Sequence, residues 1–390
     1  MPTTYPVKWI NNAMRGAPQI SGTAGSLIAA IDAFLLTGFG VTTAINVTVA
    51  NGIATANLQA GQSFDKYVVV LVDGATPAEL NGEARVLTSS SSQITWATAA
   101  PAGVATGTIT IRVAPVGGWA KVFAGTNKAV YQSNDVQGAR FFYRVDDTGT
   151  LAARVRGYES MTDVDTGTGP FPTDAQISGG GYMAKSTNAN TTAVRYDFAA
   201  DSRFFLPSIA AAFSSNSTYT PSSARGFGDA VALRPSGDPY ASCISVLDSA
   251  VAAAYGGFEF SQSGGAAVYV ARAATGLGGS QKVSTLAFVG AAALSGATAA
   301  LGAFPSSIDG ELKTSRRYIE AGDGATPRAI VPGFLHIPQS GVALTVAPRD
   351  TFDGTGEFAG RVLLALGAIG GNLNNVPGGI YLVDITGPWR

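Results

Sequence analysis

Apolar and polar residues alternate with a period of two along most of this chain, and one segment near the start departs from that rule. In residues 21–40, SGTAGSLIAAIDAFLLTGFG, the side chains Leu27, Ile28, Ile31, Phe34 and Leu35 recur at helical spacing and form one apolar stripe. Thr23 is placed to cap the start of this helix and Gly38 to end it. A short, one-faced helix must pack on something else.

From Ile45 the period becomes two. INVTVANGIATANL sets Asn51-Gly52 between alternating segments, a strong signal for a two-residue hairpin turn. KYVVVLVDG, EARVLTS, SQITWAT and GTITIRVAP follow, separated by Gly, Pro, Asn or Ser. The six short strands predict a small antiparallel sandwich or barrel over residues 44–116, with Pro115 and Gly117-Gly118 marking the exit. Residues 117–390 read as one large β-rich domain. Its hairpin candidates include GGFEFSQSGGAAVYVAR and the pair GRVLLALG and GGIYLVDI, and ISVLDSAVAAAYGG has the alanine content of a short helix. The fold class expected is mainly β: a large β-rich domain, a short N-terminal helix and a small sandwich. The N-terminal segment 1–43 should pack on the large domain, with the sandwich inserted between them.

Composition adds a second constraint. The chain has 390 residues, of which 46% are hydrophobic and only 13% charged, with 49 glycines. Ordinary soluble domains carry about 25% charged residues. So little charge points to a surface covered by other subunits, an assembly component and a homo-oligomer. The net charge is −1 with no basic block, so no nucleic-acid partner is expected. The start MPTTYPVKWINNAMRG lacks the apolar core of a signal peptide, and the lone Cys243 suits a reducing cytoplasm. The uncharged run between Lys282 and Asp309 is long enough to span a bilayer, but its Ala, Gly, Ser and Thr gain little in hydrocarbon. It is expected to form a buried strand and loop, with no membrane partner.

Residue counts restrict the chemistry further. His336, in FLHIPQS, is the only histidine, and its apolar, proline-flanked setting suggests an extended edge strand with a structural role. Cys243 alternates with apolar positions and reads as a small core residue. With one His and one Cys, the usual zinc ligand sets are excluded within one chain. GTAGS at the helix start lacks the following lysine of a phosphate loop.

The stretch RVDDTGTLAARVRGYESMTDVDTGTGPFPT is the densest in acids, with Asp146, Asp147, Glu159, Asp163 and Asp165 within twenty residues. Asp163, Asp165 and Asp174 fall at positions 1, 3 and 12 of a calcium loop. Gly167 stands where a ligand is needed, Thr168 replaces the invariant glycine, and position 12 is not glutamate. An EF-hand is thereby rejected, while another calcium contact through Asp side chains stays open. A glycosidase carboxylate pair needs a separation that sequence does not give. The simpler reading makes Asp146-Asp147-Thr148-Gly149 and Asp165-Thr166-Gly167 tight turns. There Asp146, Asp147, Asp163 and Asp165 are turn formers that bond to the backbone, and Gly supplies positive φ. No catalytic, cofactor or metal residue is assigned.

Several segments together resemble tailed-bacteriophage virion proteins. They are PVKWINNAMRGAPQISGTAGSLIAAIDAFLLTGFG, the acid-rich stretch above, RGFGDAVALRPSGDPYASCI and the terminal GGIYLVDITGPWR. Within the small module, GATPAELNGEARVLTSSSSQITWATA is similar to immunoglobulin-like β modules of phage tail and fibre proteins. Such modules carry a P-x-x-x-N-G turn (here Pro77 to Gly82) and then a strand ending in an aromatic (Trp96). The resemblance implies a non-enzymatic structural component of the virion, in tail or baseplate, assembled in the host cytoplasm beside other virion proteins. A capsid decoration or head-fibre protein, a receptor-binding tail protein facing a host-surface glycan, and a cell-wall hydrolase are the alternatives. Trp9, Trp119, Trp389 and Arg390 are either contact residues of such an assembly or anchors of the chain's own core.

Overall fold

The computed structural model describes residues 5–61, 64–211, 222–233, 242–248, 257–259, 266–273, 279–287, 302–320, 327–368 and 379–390. They form a mainly β protein with one short α-helix and three antiparallel sheets. Among the described residues no helix is long and apolar enough to cross a membrane. Residues 288–301 of the uncharged run, and 249–256 of the alanine-rich segment, lie outside the described residues. Ser242–Leu247, at the head of that segment, is a strand rather than a helix. All six of its side chains are buried, and core packing overrides weak helix propensity.

The helix forms where its apolar stripe predicts but is shorter. It runs Ser26–Asp32, continues as a π turn Ala33–Thr37, and stops at Gly38, whose φ of 70° is easy only for glycine. Leu27, Ile28, Ile31, Phe34 and Leu35 are all buried. Phe34 reaches Phe198 and Phe205, with ring centroids 6.0 and 6.3 Å away. Those rings belong to an aromatic core centred on Phe227, which stacks on Tyr143 at 4.9 Å and packs against Phe205 at 5.2 Å. Thr23 does not cap the helix. Its hydroxyl bonds to Ser21, and the helix has no side-chain cap of its own at Gly25.

After the helix the chain enters a β-sandwich. Strands Phe39–Thr43, Thr110–Val113, Val69–Asp73 and Gly82–Arg85 make a four-stranded sheet in that order. Thr88–Ser89, Gln93–Ala97, Ile53–Asn57, Asn46–Ala50 and Gly103–Val104 make the facing five-stranded sheet. Asn51 and Gly52 take φ of 51° and 75° between the paired residues Ala50 and Ile53, so the hairpin forms as its sequence predicts. The sandwich begins at Phe39, not at 44. Phe39–Thr43 forms an edge strand, with Phe39 buried. The chain leaves past Phe34 and Leu35 and returns at Val116 and Gly117, whose N–H groups donate to the Phe34 and Leu35 carbonyls.

The remaining strands form one twenty-stranded antiparallel network. Trp119–Gly125, Lys128–Ser133, Phe142–Asp146 and Ala152–Met161 run as a meander. The N-terminal strand Lys8–Asn11 joins this network by pairing with Tyr196–Ala200. The C-terminal pair Val362–Ala368 and Gly379–Asp384 is hydrogen-bonded along its length, as its sequence predicts.

Residues 38–116, expressed alone, are expected to melt cooperatively with β circular dichroism. Residues 44–116 lack the Phe39 strand and should melt at least about 10 °C lower, since one buried aromatic and an edge ladder are worth a few kcal/mol in so small a unit. Equal melting temperatures, or no transition in the longer fragment, would contradict this pairing as the basis of the sandwich.

Candidate functional site

A cleft of about 500 Å³ opens where the N-terminal strand, the sandwich and the C-terminus meet. Each wall carries a charge. Lys8 projects from the N-terminal strand, Glu83 from the edge of the four-stranded sheet, and Asp135 from the turn after Lys128–Ser133. Asp201 and Arg203 come from the tight turn between Tyr196–Ala200 and Phe204–Ile209, and Arg390 from the chain end.

These charges are committed to one another. Lys8 is buried and donates to Glu83 and, at 2.5 Å, to the Pro115 carbonyl. Arg203 grips Asp135 through Nε at 2.7 Å and Nη2 at 3.0 Å, which holds that carboxyl down at about 2. A carboxylate so acidic is a poor base near neutrality. Arg390 Nε donates to Asp201 at 2.9 Å, and Asp201 also accepts the N–H groups of Arg203 and Phe204. Arg85 lies over the Tyr5 ring at 4.5 Å, and Asn11 donates to Asp65 of the sandwich at 2.5 Å. The cleft is therefore a cross-tied joint that fixes the sandwich to the rest of the molecule.

The acid-rich stretch disperses. Asp146 accepts from the Thr148 N–H and hydroxyl, and Asp163 from the N–H groups of Asp165 and Thr166; both make the local turns expected of them. Asp165 instead takes Lys128 at 2.9 Å and Arg144 at 2.6 Å. Glu159 takes Arg272 through two bonds of 2.8 and 2.7 Å, and Asp174 takes Arg156 at 2.6 Å. Among the described residues no three His, Cys, Asp or Glu side chains are grouped to hold a metal ion. Gly149 and Gly167 do not take positive φ; Gly169 does, at 62°. Their reason is space. A Cβ on Gly149 would strike the Ala152 carbonyl, and one on Gly167 would lie 2.7 Å from Tyr158 and 2.8 Å from Met161.

Asp147 departs most from its turn reading. It is fully buried, and its Oδ2 accepts the Leu27 N–H at 2.8 Å and the Ile28 N–H at 3.3 Å, capping a helix 120 residues earlier. Its Oδ1 pairs with the ammonium of Lys185, also fully buried, which donates to the Thr23 carbonyl at 2.6 Å as well. Burial lifts the Asp147 carboxyl above its ordinary value, and Lys185 with the two amides offsets part of that.

A second buried cluster was not legible in the sequence. Glu259 is fully buried, accepts the Ala224 N–H at 3.0 Å, and lies in the fields of Arg225 and Arg317. Burial outweighs those cations and pushes its carboxyl up to about 7, while it pushes both guanidiniums down to about 10. The only available signal was an acid set between two aromatics in Phe258-Glu259-Phe260. His336 is buried at the end of Pro327–His336, a strand paired on both sides rather than an edge. Burial and then the charge of Arg317 hold its imidazole down at about 3. Cys243 is buried in a strand, and burial raises its thiol. Trp9, Trp119 and Trp389 are core anchors: the Trp119 and Trp389 indoles donate to the Asp201 and Asp384 carbonyls, each at 2.8 Å. No protein-family model matches this chain, and no curated protein matches it.

Asp147→Asn is expected to destabilise by ~3–5 kcal/mol, because Lys185 stays buried without its counter-charge, and adding Lys185→Met should recover much of the loss. Asp146→Asn and Asp163→Asn should each cost under about 1 kcal/mol, since Asn makes the same local bonds. Denaturant melts check both, and an Asp147 variant as mild as the others would remove the capping role.

Glu259 and His336 predict a compensated pH response. Unfolded, they titrate near 4.5 and 6.5; folded, near 7 and 3. As pH rises from 4.5 to 7, the raised carboxyl loses stability because the unfolded chain ionises first. As pH rises from 3 to 6.5, the lowered imidazole gains it, because the unfolded chain binds the extra proton. Between 4.5 and 6.5 the two slopes cancel. Relative to wild type, His336→Gln should fall and Glu259→Gln should rise by ~1.4 kcal/mol per pH unit in that window. Parallel pH–stability curves for all three proteins would show that neither group is perturbed.

Proposed function

We propose that this chain is a non-enzymatic structural subunit of a tailed-phage virion, in the tail or baseplate, working through contacts between subunits. The observation that carries this reading is the joint. The charges of this cleft are spent on tying the N-terminal strand, the sandwich and the C-terminal residues together, which suits a part that must hold a shape. The sparse charge and the segmental resemblance to phage virion proteins support it. The sandwich then serves as an immunoglobulin-like module carried on a β-rich body, and neighbouring virion proteins, with further copies of this chain, are its partners.

Particles purified on a density gradient from a producing culture are expected to contain the chain in several copies, with antibody label on the tail or baseplate. The purified chain should leave peptidoglycan and capsule intact in a zymogram. A chain missing from the particles, or one that turns over either polymer, would overturn the reading. Label on the head would move it to a decoration protein.

A further inference from the structure

The sandwich divides its charge unequally between its two sheets. Residues 33–64 and 86–111 contain no Asp, Glu, Lys or Arg, and together they supply every strand of the five-stranded sheet. All charges in the sandwich strands, Asp73, Glu83, Arg85 and Arg112, lie on the four-stranded sheet. The inner face of the five-stranded sheet buries Val47, Val49, Ala54, Ala56, Ile94 and Trp96. Its outer face is arranged in rows set by register. Val104, Thr48, Thr55, Thr95 and Thr88 lie side by side across all five strands. Asn46, Asn57 and Gln93 form a second row, and Ala50, Ile53 and Ala97 a third.

Some of the polar groups of this face already serve one another. Gln93 donates to Asn57 at 3.0 Å, Asn57 donates to Asn46 at 2.6 Å, and the hydroxyls of Thr88 and Thr95 meet at 2.6 Å. Covering such a surface leaves no charge stranded. At the edge, Val104 is 70% exposed, with no charge beside it to deter a neighbour. A charged partner would find no counter-charge here. A sugar would find no aromatic platform, because Trp96, the sheet's one aromatic, faces inward. The matching surface must be neutral and rich in short polar side chains. The same face on another copy has those properties.

We infer that the outer face of the five-stranded sheet docks on the same face of a second copy of this chain. Three five-residue strands flanked by two of two residues, about 4.8 Å apart, give a face of roughly 300 Å². A stable interface takes about 800 Å² from each partner, so a single contact of this kind is weak. It holds where other contacts already keep copies at high local concentration, as between repeated subunits of an assembly. This inference rests on the reading of the chain as a repeated subunit, but the two fail separately. A chain absent from particles would sink that reading and leave the contact standing, and a chain present in particles yet monomeric in solution would do the reverse.

Sedimentation velocity on the full chain, from ~10 µM to ~1 mM, is expected to show reversible dimers with a dissociation constant of ~0.1–1 mM. Thr55→Lys and Thr55→Glu, at the centre of the face, should each weaken association at least about tenfold, since like charges then oppose each other. An equimolar mixture of the two variants should recover it. Val104→Lys, on the edge strand, should act as Thr55→Lys does without touching the centre. Asp353→Lys, an exposed charge change on the strand Thr351–Asp353 of the twenty-stranded network, should leave association unchanged. A wild-type chain that stays monomeric, Thr55 variants that associate like wild type, or a mixture that fails to recover would each overturn the proposal.

Discussion

The arrangement of the N-terminal third depends on the buried ion pair between Asp147 and Lys185. A helix of seven residues followed by a π turn is far too short to hold itself in water. Its leading N–H groups need acceptors, and no side chain of its own cap position reaches them. Asp147 supplies one from the end of the strand Phe142–Asp146, and a carboxylate buried that deeply stands only with Lys185 beside it. Three parts distant in the chain are thereby made mutually dependent. With the helix seated, Phe34 enters the aromatic core, and the chain departs for the sandwich beside the place where Val116 returns.

The few charges of the protein are used as ties across its parts. Lys8 with Glu83 and Asn11 with Asp65 fasten the N-terminal strand to the sandwich, and Arg390 with Asp201 fastens the chain end. Such pairs add little net energy when exposed, but half-buried between rigid elements they fix orientation. The sandwich has one tied edge and one charge-free sheet, an asymmetry with a direction. One side is built to be held by the body of the protein and the other to meet a neutral surface.

The interior cluster of Glu259, Arg225, Arg317 and His336 follows different logic. Its groups sit where burial opposes charge, so the carboxyl is raised and the guanidiniums and imidazole are lowered. Apolar replacements of the same volume are often neutral or stabilising at such places. What the cluster does is couple Glu259 electrostatically to Arg225 and Arg317, and Arg317 to His336, across parts of the chain far apart in sequence.

The sequence by itself determined what depends on a few neighbouring residues. The period-two strands, the Asn51-Gly52 hairpin, the apolar stripe from Leu27 to Leu35, the stop at Gly38 and the C-terminal strand pair were all legible, because steric preference and side-chain alternation act over short distances. So were the Asx turns of Asp146 and Asp163, which bond to backbone two or three residues on. Only the tertiary structure decided what depends on partners far along the chain. It turned Asp147 from a turn residue into the cap of a remote helix, gave Asp165, Glu159 and Asp174 to separate cations, and buried the tryptophans as anchors. It also extended the sandwich back to Phe39 and required Gly149 and Gly167 for space rather than for φ. An acid's local sequence is the same whether it caps, pairs or ligates; the group that folding brings to within 3 Å decides among these roles.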